Sequence, residues 1–350
     1  MKALREGFTT GSCAAAAALA CCLRQTTGEC PERVEILLPD GRRFAPRVIS
    51  HEDGSCGVRK DSGDDPDITD GVEVVARVEP EADEGPVRFF AGEGVGVVTQ
   101  PGLKLPAGEA AVNPVPRRMI EEAVRSVWGK RGARVTLSIP GGRELARRTF
   151  NPRLGIEGGL SILGTSGVVR PMSEEALKDA LYEELKMRRA QGWETLVFTF
   201  GNQGEKAMRR LYPDLPAVQM SNEVGFMLDA ARELGVRRII LGGHPGKLCK
   251  VAAGVMQTHS RTADGRREAV ITQLALEGAP LSMLREIYAC RTMDQAAQAI
   301  AQAGFGRVWA RLGEAAWRYC RLRTLEEVAF EVVFTDASGA VLGRYPEEEA

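Results

Sequence analysis

Between Asn151 and Gly167 the chain reads Asn151-Pro152-Arg153-Leu154-Gly155-Ile156-Glu157-Gly158-Gly159-Leu160-Ser161-Ile162-Leu163-Gly164-Thr165-Ser166-Gly167. So much glycine excludes a regular helix or strand across the segment, since each interior glycine costs about 0.5–1 kcal/mol relative to alanine. Two readings remain. Either the backbone is shaped to approach an anionic or flat ligand with its N–H groups, or tight turns surround one buried strand, Leu160 to Leu163. The segment then leads into a short strand near Gly167 to Val169 and a helix start, where Ser173 can cap and Glu174 and Glu175 favour the positive helix end.

At 350 residues the chain is long enough for two domains, and the change of rhythm along it places them at 1–185 and 186–350. The 46 basic and 47 acidic residues leave no net field, which excludes bulk attraction to nucleic acid or to a membrane surface. The 8 cysteines form no C-x-x-C pair and a chain of this size needs no covalent staples, so reduced thiols in a cytoplasm are expected. The 3 histidines, His51, His244 and His259, are not spaced as zinc ligands, so no protein-bound metal is expected. Ala14 to Leu23 mimics a secretory core behind Lys2 and Arg5, but Glu6 and the polar Thr9-Thr10-Gly11-Ser12 break that pattern.

The first half reads as α+β. Thr10 or Ser12 caps an alanine-rich helix through Leu23. Val34 to Phe44 forms a hairpin closed at Asp40-Gly41. Val72 to Val78, Val87 to Phe90 and Val135 to Ile139 are strands, and Arg117 to Trp128 has helical periodicity. In the second half a helix from Ser173 to Arg189 precedes a strand from Thr195 to Phe200, a loop Gly201-Asn202-Gln203-Gly204, and a helix from Asn222 to Leu234 with Val224, Met227, Leu228 and Ala231 on one face. A strand from Arg238 to Leu241 and a loop from Gly242 to Lys247 follow, then mostly helix until a last strand at Phe330 to Phe334. Alternating strands and helices imply a parallel, Rossmann-like sheet, whose ligands gather beyond the strand carboxyl ends, where both loops fall.

Several clusters bear on chemistry. Lys60 to Gly71 carries five carboxylates, Asp61, Asp64, Asp65, Asp67 and Asp70, without EF-hand spacing. It predicts either a solvated turn with Asx caps or recognition of a cation or of ribose hydroxyls. Phe90 to Thr99 resembles a dinucleotide loop only superficially, because Pro101 and Gly102 stand where its helix should be, and a strand bend admitting another backbone or a flat ligand fits better. Arg117 and Arg118 open a helix, where positive charge opposes the dipole and either serves an anion or has no role. Gly-Gly-His-Pro-Gly-Lys at Gly242 to Lys247 is not a P-loop. His244 and His259 are candidate proton acceptors, with Lys247 and Arg261 placed to hold carboxylates.

In order along the chain, Gly7-Phe8-Thr9-Thr10-Gly11-Ser12-Cys13-Ala14-Ala15, Lys60 to Asp67, Gly92-Glu93-Gly94-Val95-Gly96, Asn113-Pro114-Val115-Pro116-Arg117, Asn151 to Ser173, Phe226 to Ala230, Gly243-His244-Pro245-Gly246-Lys247 and Thr258-His259-Ser260 resemble the cobalt-precorrin-5B C(1)-methyltransferase family of anaerobic cobalamin biosynthesis. Gln203 and Pro245 depart from that pattern without removing a polar group. The resemblance implies methyl transfer from S-adenosylmethionine to carbon 1 of a ring-contracted macrocycle, giving cobalt-precorrin-6A, with cobalt carried by the substrate. It also implies a fold of two domains, an α+β ribosomal-S5-domain-2-like one and a Rossmann-like one.

Within that framework chemistry distributes the roles. His244, then His259, would balance the proton. Gly201, Asn202, Gly204, Glu205, Gly242, Gly243, Asp64 and Asp67 would hold the cofactor. Thr9, Thr10, Ser12, Arg117, Arg153, Gly158, Gly159, Thr165, Ser166, Lys247 and Arg261 would receive the tetrapyrrole and its acid side chains. A homo-oligomer is compatible with this reading. Two rival classes are a small-molecule kinase, which should bind ATP and Mg²⁺, and a tetrapyrrole carrier without S-adenosylmethionine affinity.

Overall fold

The structure is a computed structural model that describes residues 4–347, so Lys2 lies outside the described residues. It is mixed α/β, and the chain divides into two compact units at Ala176/Leu177. This division falls inside the first turn of the helix Glu174–Ala190 rather than at its middle, where 185/186 would cut.

In the first unit the helix Thr10–Thr27 is capped by Thr9, whose Oγ1 accepts from the Ser12 N–H at 3.2 Å, one residue ahead of the expected Thr10 or Ser12. Ala14 to Ala18, Ala20, Cys21 and Cys22 are all buried, and their small side chains let the helix lie close to the strands Cys56–Arg59 and Glu73–Glu84 and the helix Pro114–Trp128. The secretory-like stretch is therefore core.

The sheet runs Ile49–Ser50, Cys56–Arg59, Glu73–Glu84, Arg131–Ser138, Val87–Ala91. Every pair is antiparallel except the last, where Val87–Ala91 runs parallel to Arg131–Ser138 and the helix Pro114–Trp128 lies in the connection. Val74, Ala76 and Val78 alternate inward, as do Ala133, Val135 and Leu137. A fully buried valine or leucine contributes about 1.5–3 kcal/mol, so these rows set the register. The hairpin at Asp40-Gly41 forms as its sequence indicates, with Leu37 opposite Arg43.

The second unit holds a five-stranded sheet in the order Ala217–Gln219, Thr195–Thr199, Arg238–Gly243, Ala329–Thr335, Val341–Tyr345. The first four strands are parallel and the last is antiparallel. Val224, Met227, Leu228 and Ala231 are buried together on the helix Val224–Glu233.

Two sequence expectations need correction here. The Gly201 to Gly204 segment is not a loop, because the helix Asn202–Leu211 starts directly after the strand and buries Ala207 and Met208. Gly242 and Gly243 belong to the strand Arg238–Gly243, and the helix Pro245–Ala252 begins at once, with proline at the first helical position where its missing N–H costs nothing. The short strands Ala217–Gln219 and Val341–Tyr345 give too few residues for a readable period. Among the described residues no helix is long and apolar enough to cross a membrane.

Candidate active site

In the second unit the chain passes from the strand Thr195–Thr199 to Ala217–Gln219 on one side, then crosses to Arg238–Gly243 on the other. The strand order reverses between Thr195–Thr199 and Arg238–Gly243, and in open parallel sheets the crevice beyond the carboxyl ends at such a point is where ligands bind. Thr199 pairs with Gly242 there, so the segments starting at Gly201 and at Gly243 come together on one edge.

The strand end beneath this candidate crevice is closely packed. A Cβ on Gly242 would lie 2.1 Å from the Met208 Sδ, and one on Gly243 would lie 2.9 Å from the Phe200 ring. A Cβ on Gly201, in contrast, would meet only open space. Asn202 Oδ1 accepts from Gln219 Nε2 at 2.8 Å, and the same amide donates to Glu205 Oε2 at 2.6 Å. Glu205 Oε1 accepts from Arg209 at 2.7 Å, so this carboxylate is engaged inside the protein.

Three residues of this edge carried no sequence signal. Thr199 is fully buried and its Oγ1 has no hydrogen-bond partner among the described residues. An unsatisfied buried hydroxyl costs about 1–3 kcal/mol. Ser221 sits at φ +53°, a left-handed conformation uncommon for serine, just beyond the strand Ala217–Gln219. Asp294, from the helix Met293–Gln302, accepts from His244 Nε2 at 2.8 Å.

His244 is the cap of the helix Pro245–Ala252: its Nδ1 accepts from the Gly246 N–H at 3.1 Å. The network therefore assigns the ring proton to Nε2, facing Asp294, and both nitrogens are occupied. Lys247 reaches the Ser221 carbonyl at 3.4 Å and stands 5.9 Å from the Phe200 ring centre, and burial together with nearby Lys250 pushes its pKa down.

Buried Lys250 donates to the carbonyls of Thr258 and Ala263, both at 2.9 Å, which fixes the loop between them. That loop exposes His259, whose Nδ1 accepts from the Arg261 N–H at 3.1 Å and whose Nε2 meets no partner among the described residues. Arg261 is exposed on the same loop.

The remaining sequence candidates lie in the first unit. Asp61 pairs with Arg5 and Asp64 accepts from the Arg5 N–H at 2.7 Å. Asp65 accepts from Met172 N–H at 2.7 Å and Asp70 from Ser62 N–H at 2.8 Å. Asp67 pairs at 2.7 Å with Lys60, which is only 3% exposed. Burial alone would raise the Asp67 carboxyl, but the Lys60 bond and charge outweigh it and hold it below the ordinary value. Each of the five carboxylates thus shapes the turn.

The glycine loop wraps the start of the helix Thr10–Thr27. Leu163 and Gly167 carbonyls accept from the Gly11 and Thr9 N–H groups, Ser12 Oγ donates to the Gly167 carbonyl at 2.6 Å, and Thr10 Oγ1 accepts from Leu163 N–H at 3.0 Å. Thr9, Thr10 and Ser12 are consequently buried. Leu160 and Ile162 are buried as well and bridge to Val95 and Val112.

Backbone meets backbone at Gly159, where a Cβ would fall 2.1 Å from the Gly94 carbonyl oxygen; Gly94, at φ +69°, is itself 2.0 Å from the Ile139 oxygen by the same construction. Gly158 and Thr165 are exposed, while Ser166 turns onto Val168. Arg117 donates to the Val112 and Ala110 carbonyls and pairs with Glu109 at 2.6 Å, and Arg153 is half-buried.

The CbiD family model matches residues 1–171, and the model of the CbiD C-terminal domain matches residues 257–346. The chain belongs to the CbiD family. A CbiD relative in Alkaliphilus metalliredigens, named cobalt-precorrin-5B C(1)-methyltransferase, is 42% identical over 97% of this chain and 92% of its own length. Another of the same name in Tolumonas auensis is 46% identical over 88% of this chain and 83% of its own. The crystal structure of a cobalamin biosynthesis protein from Archaeoglobus fulgidus is 29% identical, covers 79% of this chain and 85% of its own, and superposes at a TM-score of 0.40, too low to carry an argument.

Proposed function

We propose that this chain methylates carbon 1 of cobalt-precorrin-5B with S-adenosylmethionine, giving cobalt-precorrin-6A, as a cytoplasmic enzyme of anaerobic cobalamin biosynthesis. The observation that carries this reading is kinship along nearly the whole chain with relatives of that name. We read the first unit as ribosomal-S5-domain-2-like and the second as Rossmann-like. Neither rival gains support: Lys247 is followed by Leu248 rather than the Ser or Thr of a phosphate-binding loop.

We assign the co-substrate to the crevice between Thr199 and Gly243. The residues present fit such a ligand: among the described residues the buried Thr199 hydroxyl has no partner, Gly201 leaves open space, and no side chain caps the first N–H groups of the helix Asn202–Leu211. When bound, S-adenosylmethionine supplies an activated methyl group, and cobalt arrives inside the substrate. The protein's main task is alignment of the ring carbon for in-line displacement. Asn202 and the first turn of its helix orient the ligand, with Gly242 and Gly243 forming the floor and Glu205 bracing Gln219.

For proton balance His259 is the better placed of the two histidines, because its Nε2 meets no partner among the described residues, whereas His244 would have to give up its cap or its bond to Asp294. We assign His244 a positioning role. For the macrocycle we keep Lys247 and Arg261, both in the second unit. In the first unit Thr9, Thr10, Ser12, Gly159 and Ser166 shape the glycine loop that exposes Gly158 and Thr165, Arg153 lies within that loop, and Arg117 is tied to the Val112 and Ala110 carbonyls. Asp64 and Asp67 act on the turn they build.

Calorimetric titration with S-adenosylhomocysteine tests the reading. Saturable binding, with none for Mg²⁺-ATP, is expected; tetrapyrrole binding without any S-adenosylhomocysteine affinity would leave a carrier instead.

A further inference from the structure

Beyond the crevice, the second unit contains a pocket of about 250 Å³ lined by Arg266, Arg267 and Arg291 with Cys290 and Thr292. We propose that this pocket is an anion subsite that receives one or two carboxylate arms of the tetrapyrrole substrate; the proposal rests on the methyltransferase reading. Its volume is below the roughly 300–1,000 Å³ of pockets that enclose a whole ligand, so it suits acid arms and not the ring.

The three guanidiniums differ in what they can give. Arg266 is held by Asp264 through two bonds, at 2.6 and 2.7 Å, which cancels its charge and pulls the Asp264 carboxyl down to about 2. Arg267 is positioned without being neutralised: it donates to the Tyr288 carbonyl at 2.8 Å and lies 5.2 Å from the Tyr288 ring centre. Arg291 is exposed, and its guanidinium meets no carboxylate among the described residues. Asp294 is the acid that follows Arg291 most closely in sequence, and it is bound to His244.

Glu286 and Glu268 are the other acids that act on this pocket's members, through Cys290 and Arg266 respectively. The N-terminus of the helix Met293–Gln302 adds little, because Thr292 and Gln295 close it in a capping box. Arg267 and Arg291 are therefore the source of the attraction, and a fixed planar fork suits a carboxylate better than a mobile ammonium.

Location supplies the link to the reaction. Asp294, next to the pocket residue Met293, is bonded to His244, which stands directly after the crevice strand Arg238–Gly243. The arginine pocket and the carboxyl edge of the sheet are thus joined by one side-chain bond.

The test uses the full chain, with a porphyrin octacarboxylate as probe and a porphyrin bearing neutral amide arms as control, read by fluorescence. Loss of two charge-assisted contacts in Arg267→Ala/Arg291→Ala should weaken octacarboxylate binding by about tenfold or more. The amide porphyrin should be indifferent to the change, S-adenosylhomocysteine affinity should stay at the parental value, and Arg267→Lys/Arg291→Lys should recover part of the loss. Octacarboxylate affinity within about twofold of the parent would overturn the subsite, since one charge-assisted bond already exceeds that. So would an equal loss of S-adenosylhomocysteine binding, which would make the arginines structural. Failure of the parent chain to bind S-adenosylhomocysteine would instead remove the methyltransferase reading while leaving the anion measurement standing.

Discussion

Replacing Asp67 by asparagine separates a structural carboxylate from a ligand-binding one. The Asp67 Oδ2 lies 2.7 Å from the Lys60 Nζ, a gross attraction of about 6 kcal/mol at an effective dielectric of 20. Much of that repays desolvation, because the Lys60 side chain is only 2% exposed. Removing one partner of such a pair typically costs about 3–5 kcal/mol. The lower end applies, since the asparagine oxygen and Ser62 still accept from Lys60 and Asp67 keeps 23% exposure. For a unit of this length each kcal/mol moves the melting temperature by about 2–4 °C, so Asp67→Asn should lower it by roughly 6–12 °C.

Circular dichroism melts at neutral pH measure this, alongside S-adenosylhomocysteine titration below the melting range. The sign with pH follows from the depressed carboxyl: its contribution is present above the ordinary value of 3.8 and lost as pH falls through the lower folded value. The gap between parent and variant should therefore close in acid. A melting temperature within about 2 °C of the parent, well under the cost of an unpaired buried charge, would refute the argument, particularly if cofactor affinity fell instead.

Gly159→Ala should destabilise by about 2–3 kcal/mol through overpacking against the Gly94 carbonyl, whereas Gly158→Ala, at φ +87° with its nearest atom at 3.9 Å, should cost only about 1–2 kcal/mol of left-handed strain; urea titration reads both. His259→Asn should lower kcat by about 10²-fold at saturating substrate, while His244→Asn, which keeps a capping side chain, should stay within about threefold; the reverse order would restore His244 as the proton acceptor. Exhaustive chelation that leaves the substrate's cobalt in place should not reduce methyl transfer, because Asp61 to Asp70 spend their carboxylates on the turn itself, and loss restored by Mg²⁺ would contradict that.

Local sequence was enough for elements whose pattern is dense. The alanine helix, the Asp40-Gly41 hairpin and the apolar face of Val224 to Ala231 each rest on contacts between residues close in sequence, or on a period repeated several times. Motif order along the chain was likewise enough to recognise the CbiD family. What glycine does could not be read in the same way. Gly159 and Gly94 are far apart in sequence, and only folding brings their backbones so close that no Cβ fits, whereas neighbouring Gly158 stays open. The same holds for charge: sequence leaves Asp67 between a solvated turn and a cofactor ligand, and only the fold sets it against the buried Lys60.

The site itself was half legible. Alternating strands and helices point to the carboxyl edge as the candidate crevice, but which strands flank it depends on the order 217–219, 195–199, 238–243, a property of long-range pairing that no local window contains. His244 carried a chemical signal in sequence, yet its partners Gly246 and Asp294 come from a helix start and from a helix 50 residues on. Tertiary structure decides that its nitrogens are occupied, because hydrogen-bond satisfaction is settled by whatever packing brings within about 3 Å, not by neighbours along the chain.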